Sequence, residues 1–399
     1  MRIVDADAHV NPTPDFWAEY LPAQFRGLAP RIEHDDECDY VVFEGRRRKV
    51  NLLGAQDGRS GKDFKITGRY SDMRAGNWMP AARLEDMDRD NIDAAVLFGG
   101  GPLGTANLDL FLASFDAYNT WLADFCATEP SRFAGVGYVP MLDVGQSVEM
   151  VKEFARRGLK AVNIPAFPNS LEVLRNGGAG AVQSLALMGD PAGPRMYSHP
   201  EFDPFWQAVC DLDMPVTIHL GGRRVRIDQM EHYLTDLVMS KLAMAEPISV
   251  LVFGQVFERF PALKFVTVES GAGWLAFVAD YMDRTWEKQR FWVKSELKDY
   301  PSTYMDRNVY ASFIHDSIGI ATRHLPGAGN IMWSSDYPHS ETTYPHSADM
   351  IERLMGKIGE NDRAEIRRRA GGPGVRYLNW LQMGLGPHRA GGLERRDVR

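Results

Sequence analysis

Residues able to bind a metal ion recur at the ends of apolar runs. IVDADAHV, Ile3–Val10, closes with Asp7 and His9. PVTIHLGG carries His219, KFVTVESGAGW carries Glu269, and IMWSSDYPHSE carries Asp336 followed by His339 and Glu341. Side chains alternate along a β-strand, so Asp7 and His9 point the same way with Cα atoms about 6–7 Å apart. Asp5 stands on the same alternation. A carboxylate oxygen beside a neutral imidazole suits Zn²⁺, Mn²⁺ or Fe²⁺. Taken singly, each group has a plainer reading. Asp7 and His9 would then be a solvated strand end, and Glu269 or Asp336 a helix cap or a satisfied core polar group. Together, Asp7, His9, His219 and Asp336 make a four-ligand set of mixed nitrogen and oxygen donors. A charge that closes a core strand needs a partner, because burying it unpaired is costly.

For these residues to meet, the runs must end on one face of one frame. Ala94–Phe98, Phe133–Val139, Ala161–Ile164, Pro215–Leu220, Leu263–Val268, Val309–Ser312 and Asn330–Ser334 read as further strands. Between them lie helical segments: Phe111–Thr128, Val148–Arg157 closed by Gly158, Phe202–Asp213, Met239–Phe260 broken at Pro247, Gly273–Phe291 and Ile318–His324. About eight strand–helix units predict an α/β fold, a distorted (β/α)8 TIM barrel with its chemistry at the C-terminal strand ends. No GxGxxG turn follows the first strand, which disfavours a dinucleotide-binding sheet. Asp39–Leu52 reads as a β-hairpin insertion around Glu44–Gly45. It lies in a polar region, 28–75, that either covers the barrel mouth or is a surface excursion. Residues 166–200 read as a loop-rich excursion over the active face. The barrel is thus expected over 1–383, with a polar tail or subunit arm at 384–399.

The 399 residues suffice for one large α/β domain with insertions. A net charge of −8, from 45 basic and 53 acidic residues, argues against nucleic acid or an anionic membrane as the main partner. Cys38, Cys126 and Cys210 are few and widely spaced, and read as reduced, packed thiols. No run is long enough to span a bilayer and no signal sequence opens the chain, so the expected location is cytoplasmic.

IVDADAHV, PVTIHLGG, VTVESGAGW and WSSDYPHSETTYP together resemble the amidohydrolase superfamily. The nearer resemblance is to its amidohydrolase-related branch, with the aminocarboxymuconate-semialdehyde, resorcylate and carboxyvanillate decarboxylases. It runs from Ile3 to about Trp380. It implies a distorted barrel with one divalent metal ion, Zn²⁺ or Mn²⁺. The first-strand pair falls on Asp7 and His9, the third ligand on His219 and the fourth on Asp336. Many relatives carry His-x-His on the first strand. Asp-x-His here is nearer the Glu-x-His of the resorcylate and carboxyvanillate branch, and the extra carboxylate moves preference toward Mn²⁺. Glu269 stands where the decarboxylases commonly have His. No metal-bridging Lys stands at a matching strand end, so a binuclear site is not expected. The family often forms dimers or tetramers, and a homo-oligomer is expected here.

The resemblance implies a decarboxylase of an aromatic or unsaturated carboxylic acid. Asp336 is the expected proton carrier, with Glu269 or His339 as relay. Arg223, Arg224 and Glu341 are candidate contacts to a small-molecule substrate, although the basic run through Arg226 reads rather more readily as a solvated loop. A hydrolase using metal-activated water has the same ligand set. A non-enzymatic binding barrel is the third reading and needs a broken ligand set.

Overall fold

The computed structural model describes residues 3–170, 188–220 and 230–369. Arg223, Arg224, Arg226, the GGAGA segment and the 384–399 tail lie outside them. The chain begins on β1 (Val4–Val10), then leaves the barrel for an antiparallel sheet. That sheet comprises β2 (Arg31–His34), β3 (Asp39–Phe43), β4 (Arg46–Asn51) and β5 (Thr67–Gly68). The expected hairpin is its centre: Phe43 pairs with Arg46, and Glu44 and Gly45 take φ of 48° and 72°. Two successive positive φ values suit the right-handed strand twist. The outer strands were not expected, since β2 is short and polar and β5 has two residues.

The barrel continues with β6 (Ala94–Gly99), β7 (Phe133–Tyr138), β8 (Ala161–Asn163), β9 (Val216–His219), β10 (Phe265–Val268), β11 (Val309–Phe313) and β12 (Ile331–Trp333). With β1 they form a parallel eight-stranded sheet in sequence order. Helices on its outer side include α1 (Asp15–Tyr20), α2 (Pro80–Arg89), α3 (Leu108–Ala127), α4 (Val144–Arg157) and α5 (Asp203–Asp211). Asn107 caps α3 through the Leu110 amide, Asp143 caps α4 through the Gln146 amide, and Gly158 ends α4 at φ 85°.

Val4, Ala6, Val96, Phe98, Val136, Val268 and Met332 fill the barrel. Full burial of a side chain such as Phe98 contributes about 1.5–3 kcal/mol. A second apolar layer, including Ala8 and Val10, packs outside the strands.

The stretch read as one helix broken at Pro247 is three helices. They are α6 (Met230–Leu242), α7 (Ala245–Phe253) and α8 (Val256–Arg259). Pro247 lies in the first turn of α7, where its missing N–H costs nothing. The second break falls at Gln255, which has φ of 61°.

No ladder joins β12 to β1. The seam is bridged by the segment after β12: the Asp336 amide donates to Asp7 O at 3.0 Å and the His9 amide to Tyr337 O at 2.5 Å. No helix among the described residues is long and apolar enough to cross a membrane.

Candidate metal centre

A bulge in β1 aims the first-strand pair. Its register against β6 shifts between Asp5 and Ala8. Before the bulge, Val4 and Ala6 join the barrel interior; after it, Ala8 and Val10 belong to the outer layer. Asp7 and His9 therefore turn inward. Asp5, on the same simple alternation, instead takes the Ser335 and Asp7 amides on Oδ1 at 2.8 and 3.1 Å.

Asp7 Oδ1 lies 3.3 Å from both His9 Nε2 and His219 Nε2. His9 Nε2 lies 3.2 Å from Asp336 Oδ1, which is 3.1 Å from His339 Nδ1. The His339 ring stacks on His9 with centroids 3.7 Å apart. Glu269 Oε2 lies 3.8 Å from His219 Nδ1. Asp7, His9, His219 and Asp336 are all no more than 5% exposed. Two clusters of ion-binding groups result: Asp7, His9, His219 and Glu269; and His9, Glu269, Asp336 and His339. They share His9 and Glu269, so the residues expected to act together lie around one point of the barrel, with Asp7 and Asp336 both reaching His9 Nε2.

Asp7 Oδ2, His9 Nε2 and both Asp336 carboxylate oxygens are buried without a hydrogen-bond partner. Such atoms are normally satisfied, and buried acids more so. A divalent cation held among these residues would satisfy such atoms, and carboxylate–imidazole donors suit Zn²⁺ or Mn²⁺. The donor set therefore fits one ion.

Electrostatics agree. Burial alone would raise the Asp7 and Asp336 carboxyls, but the neighbouring imidazoles hold Asp7 far below the usual range and Asp336 down to about 2. Burial would likewise lower His219 and His339, but Asp7 holds His219 above its ordinary value and Asp336 brings His339 up to about 9. Glu269 and Asp336 have positive φ, 55° and 54°, as does Leu220 at 44°. Three strand ends that carry or adjoin site residues thus turn in the left-handed region, a strain characteristic of functional sites.

Other residues hold these in place. Arg83, 1% exposed, donates to His9 O at 2.8 Å and lies over the Tyr337 ring at 4.2 Å. Tyr337 Oη donates to Asp86 at 2.6 Å, and Arg74 forks onto the same carboxylate. Glu341, expected at the substrate, is paired with Lys241 at 3.1 Å, and Lys241 also reaches Glu269 at 3.1 Å. Burial would lower Lys241, but the two glutamates hold it well above its ordinary value. Nothing in the sequence marked Lys241, because it lies on α6 and not at a strand end.

A cavity of about 430 Å³ lies between the antiparallel sheet and the barrel, lined among others by Asn11, Phe16, Trp17, Phe43, Gly54 and Leu103. A Cβ added at Gly54 would stand 3.5 Å from His339 Nε2, so the cavity wall adjoins the centre.

The amidohydrolase family model matches residues 4–372. The chain belongs to the amidohydrolase family. This amidohydrolase is 26% identical to the gamma-resorcylate decarboxylase of Polaromonas sp. (strain JS666 / ATCC BAA-500), over 71% of its own length and 83% of that protein's. It is 22% identical to the 2-amino-3-carboxymuconate-6-semialdehyde decarboxylase of Dictyostelium discoideum, over 97% and 94% of the two chains. Solved structures share its fold. An amidohydrolase from Mycobacterium avium subsp. paratuberculosis K-10 superposes with a TM-score of 0.71 at 20% identity, covering 93% of this chain and 98% of that one. The dihydroxybenzoic acid decarboxylase of Polaromonas sp. JS666, with bound manganese and the inhibitor 2-nitroresorcinol, gives 0.61 at 17% identity, covering 96% and 98%.

Proposed function

We propose that the protein is a divalent-metal-dependent decarboxylase of an aromatic or unsaturated carboxylic acid. The observation that carries this reading is the set of buried, unpartnered atoms of Asp7, His9 and Asp336 at the seam of the barrel, in a chain whose curated relatives are decarboxylases. Asp7, His9, His219 and Asp336 would hold one ion, Mn²⁺ or Zn²⁺. When bound, such an ion would supply Lewis-acid chemistry toward the substrate's carboxylate.

The chain's own groups do the rest. The cavity beside Gly54, with Phe16, Trp17 and Phe43 in its walls and Arg46 and Arg48 among its lining, would take a flat body that carries an acid group. In the reaction the bond to the carboxyl carbon breaks, CO₂ leaves, and a proton takes its place on carbon. Asp336, held anionic, would pass that proton on after taking it from His339 Nδ1, 3.1 Å away, whose imidazole is the group held protonated. Glu269, beside His219, is the second candidate relay.

A panel of dihydroxybenzoic and unsaturated dicarboxylic acids, with esters, lactones and amides beside them, incubated with Mn²⁺-loaded protein in H₂¹⁸O, tests the reading. CO₂ release with no ¹⁸O in the organic product is expected. Hydrolysis of an ester, lactone or amide with ¹⁸O incorporation would replace it with the hydrolase reading, and a metal-replete protein inert on the panel would favour a binding barrel.

A further inference from the structure

Lys241 joins three segments far apart in sequence. Its ammonium, at the C-terminal end of α6, lies 3.1 Å from Glu269 Oε1 beyond β10 and 3.1 Å from Glu341 Oε2 beyond β12. The Glu269 side chain is 8% exposed, and among the described residues no other Lys or Arg lies within ion-pair distance of it. Among the described residues its other close neighbours are His219, whose Nδ1 lies 3.8 Å away, and the remaining ion-binding groups Asp7, His9, Asp336 and His339. Glu269 also belongs to both clusters of ion-binding groups. Its carboxylate thus stands between two competing partners, the cation site and the ammonium.

Charge decides what that competition does. The carboxylates of Asp7 and Asp336 already balance a divalent ion. A third carboxylate on the ion would leave the centre negative and oppose an anionic substrate. Paired with Lys241, Glu269 adds no net charge and stays free to face the substrate. Glu341, 42% exposed, is screened by solvent and adds little field at the centre.

We propose that Lys241 is a positioning residue that holds Glu269 off the metal ion and keeps the centre electrically neutral for an anionic substrate. The inference rests on the metal-dependent reading above, but its test needs no substrate. The probe is Mn²⁺ alone, titrated into metal-stripped protein and followed by the EPR signal of the free ion. Lys241→Met frees Glu269 to turn onto the ion and tightens Mn²⁺ binding by about tenfold. Glu269→Gln weakens it by no more than about threefold, because Glu269 is not a ligand in the parent protein. In the double variant the gain from Lys241→Met disappears, and Lys241→Arg binds as the parent does.

Lys241→Gln removes the charge but keeps a donor to Glu269. It reads the same quantity if Lys241→Met fails to fold, with tightening of about threefold expected. A tightening that persists undiminished in the Glu269→Gln background would show a long-range charge effect and overturn the positioning role. Unchanged or weaker binding in both Lys241→Met and Lys241→Gln would overturn it too. Failure of the parent protein to bind Mn²⁺ would instead remove the metal centre, and this inference with it.

Discussion

Asp5 and Ser335 stand 330 residues apart in the chain and meet through two hydrogen bonds. The Ser335 amide donates to Asp5 Oδ1 at 2.8 Å and its hydroxyl to Oδ2, while the Asp7 amide donates to Oδ1 at 3.1 Å. One buried carboxylate therefore fixes the backbone on both sides of the seam, next to Asp7 and next to Asp336. Asp5→Ala leaves all these donors buried and unsatisfied, and is expected to cost about 2–4 kcal/mol. Mn²⁺ affinity should fall with it, by about tenfold or more. Urea denaturation with and without Mn²⁺ measures both, and a stability loss with unchanged metal affinity would limit Asp5 to the fold.

His219→Ala removes a nitrogen donor without disturbing β9, whose ladder is made by backbone groups. Metal affinity is expected to drop at least about 100-fold, beyond what loss of an outer partner causes. Elemental analysis after dialysis reads it, with circular dichroism unchanged. A full metal complement in this variant contradicts the ligand set.

Gly54 separates the cavity from His339. Gly54→Leu fills that space, so KM should rise by about tenfold or more while metal content stays at the parent level. Steady-state kinetics on any acid found active in the panel would show it. An unaltered KM would place the substrate elsewhere.

Asp57, whose amide donates to Pro338 O beside His339, gives a pH signature of its own. Burial pushes it up to about 6 from 3.8, against hydrogen bonds from the Arg74 amide and Asn77 Nδ2. Between those two values the folded state holds a proton that the unfolded chain has released. The stability Asp57 contributes is thus fully present below pH 3.8 and is lost as pH rises through about 6. Asp57→Asn abolishes this term, so relative to the parent it should gain on the order of 2 kcal/mol between pH 4 and 7. Urea midpoints across that range check it. A parent–variant difference independent of pH would mean that Asp57 ionises normally.

Much of the frame was legible because it rests on local rules. Apolar runs of strand length alternating with helices predict a barrel, and the barrel puts His219, Glu269 and Asp336 at one end. Asp7 and His9 were legible by alternation, yet the same rule misplaces Asp5, since no residue type announces a bulge. Pro247 was read as a break, but its position within the first turn of α7 makes it harmless. Lys241 and Asp86 were invisible for another reason: their roles come from partners 12 to 258 residues away, assembled by the closed fold. No disulfide joins Cys38, Cys126 and Cys210; the first two are buried as packed thiols would be, and Cys210 is half-buried.

The hoop of strands is fastened by a clasp rather than by a final ladder, and the clasp carries Asp336. An ion gripped from both sides would act as a rivet across that joint, coupling occupancy to the mechanical integrity of the whole ring. Drained of its cation, the protein should fray there first. The amides of His9 and Asp336 would then exchange with deuterium well ahead of those in the β9–β10 ladder, and added Mn²⁺ would slow them selectively.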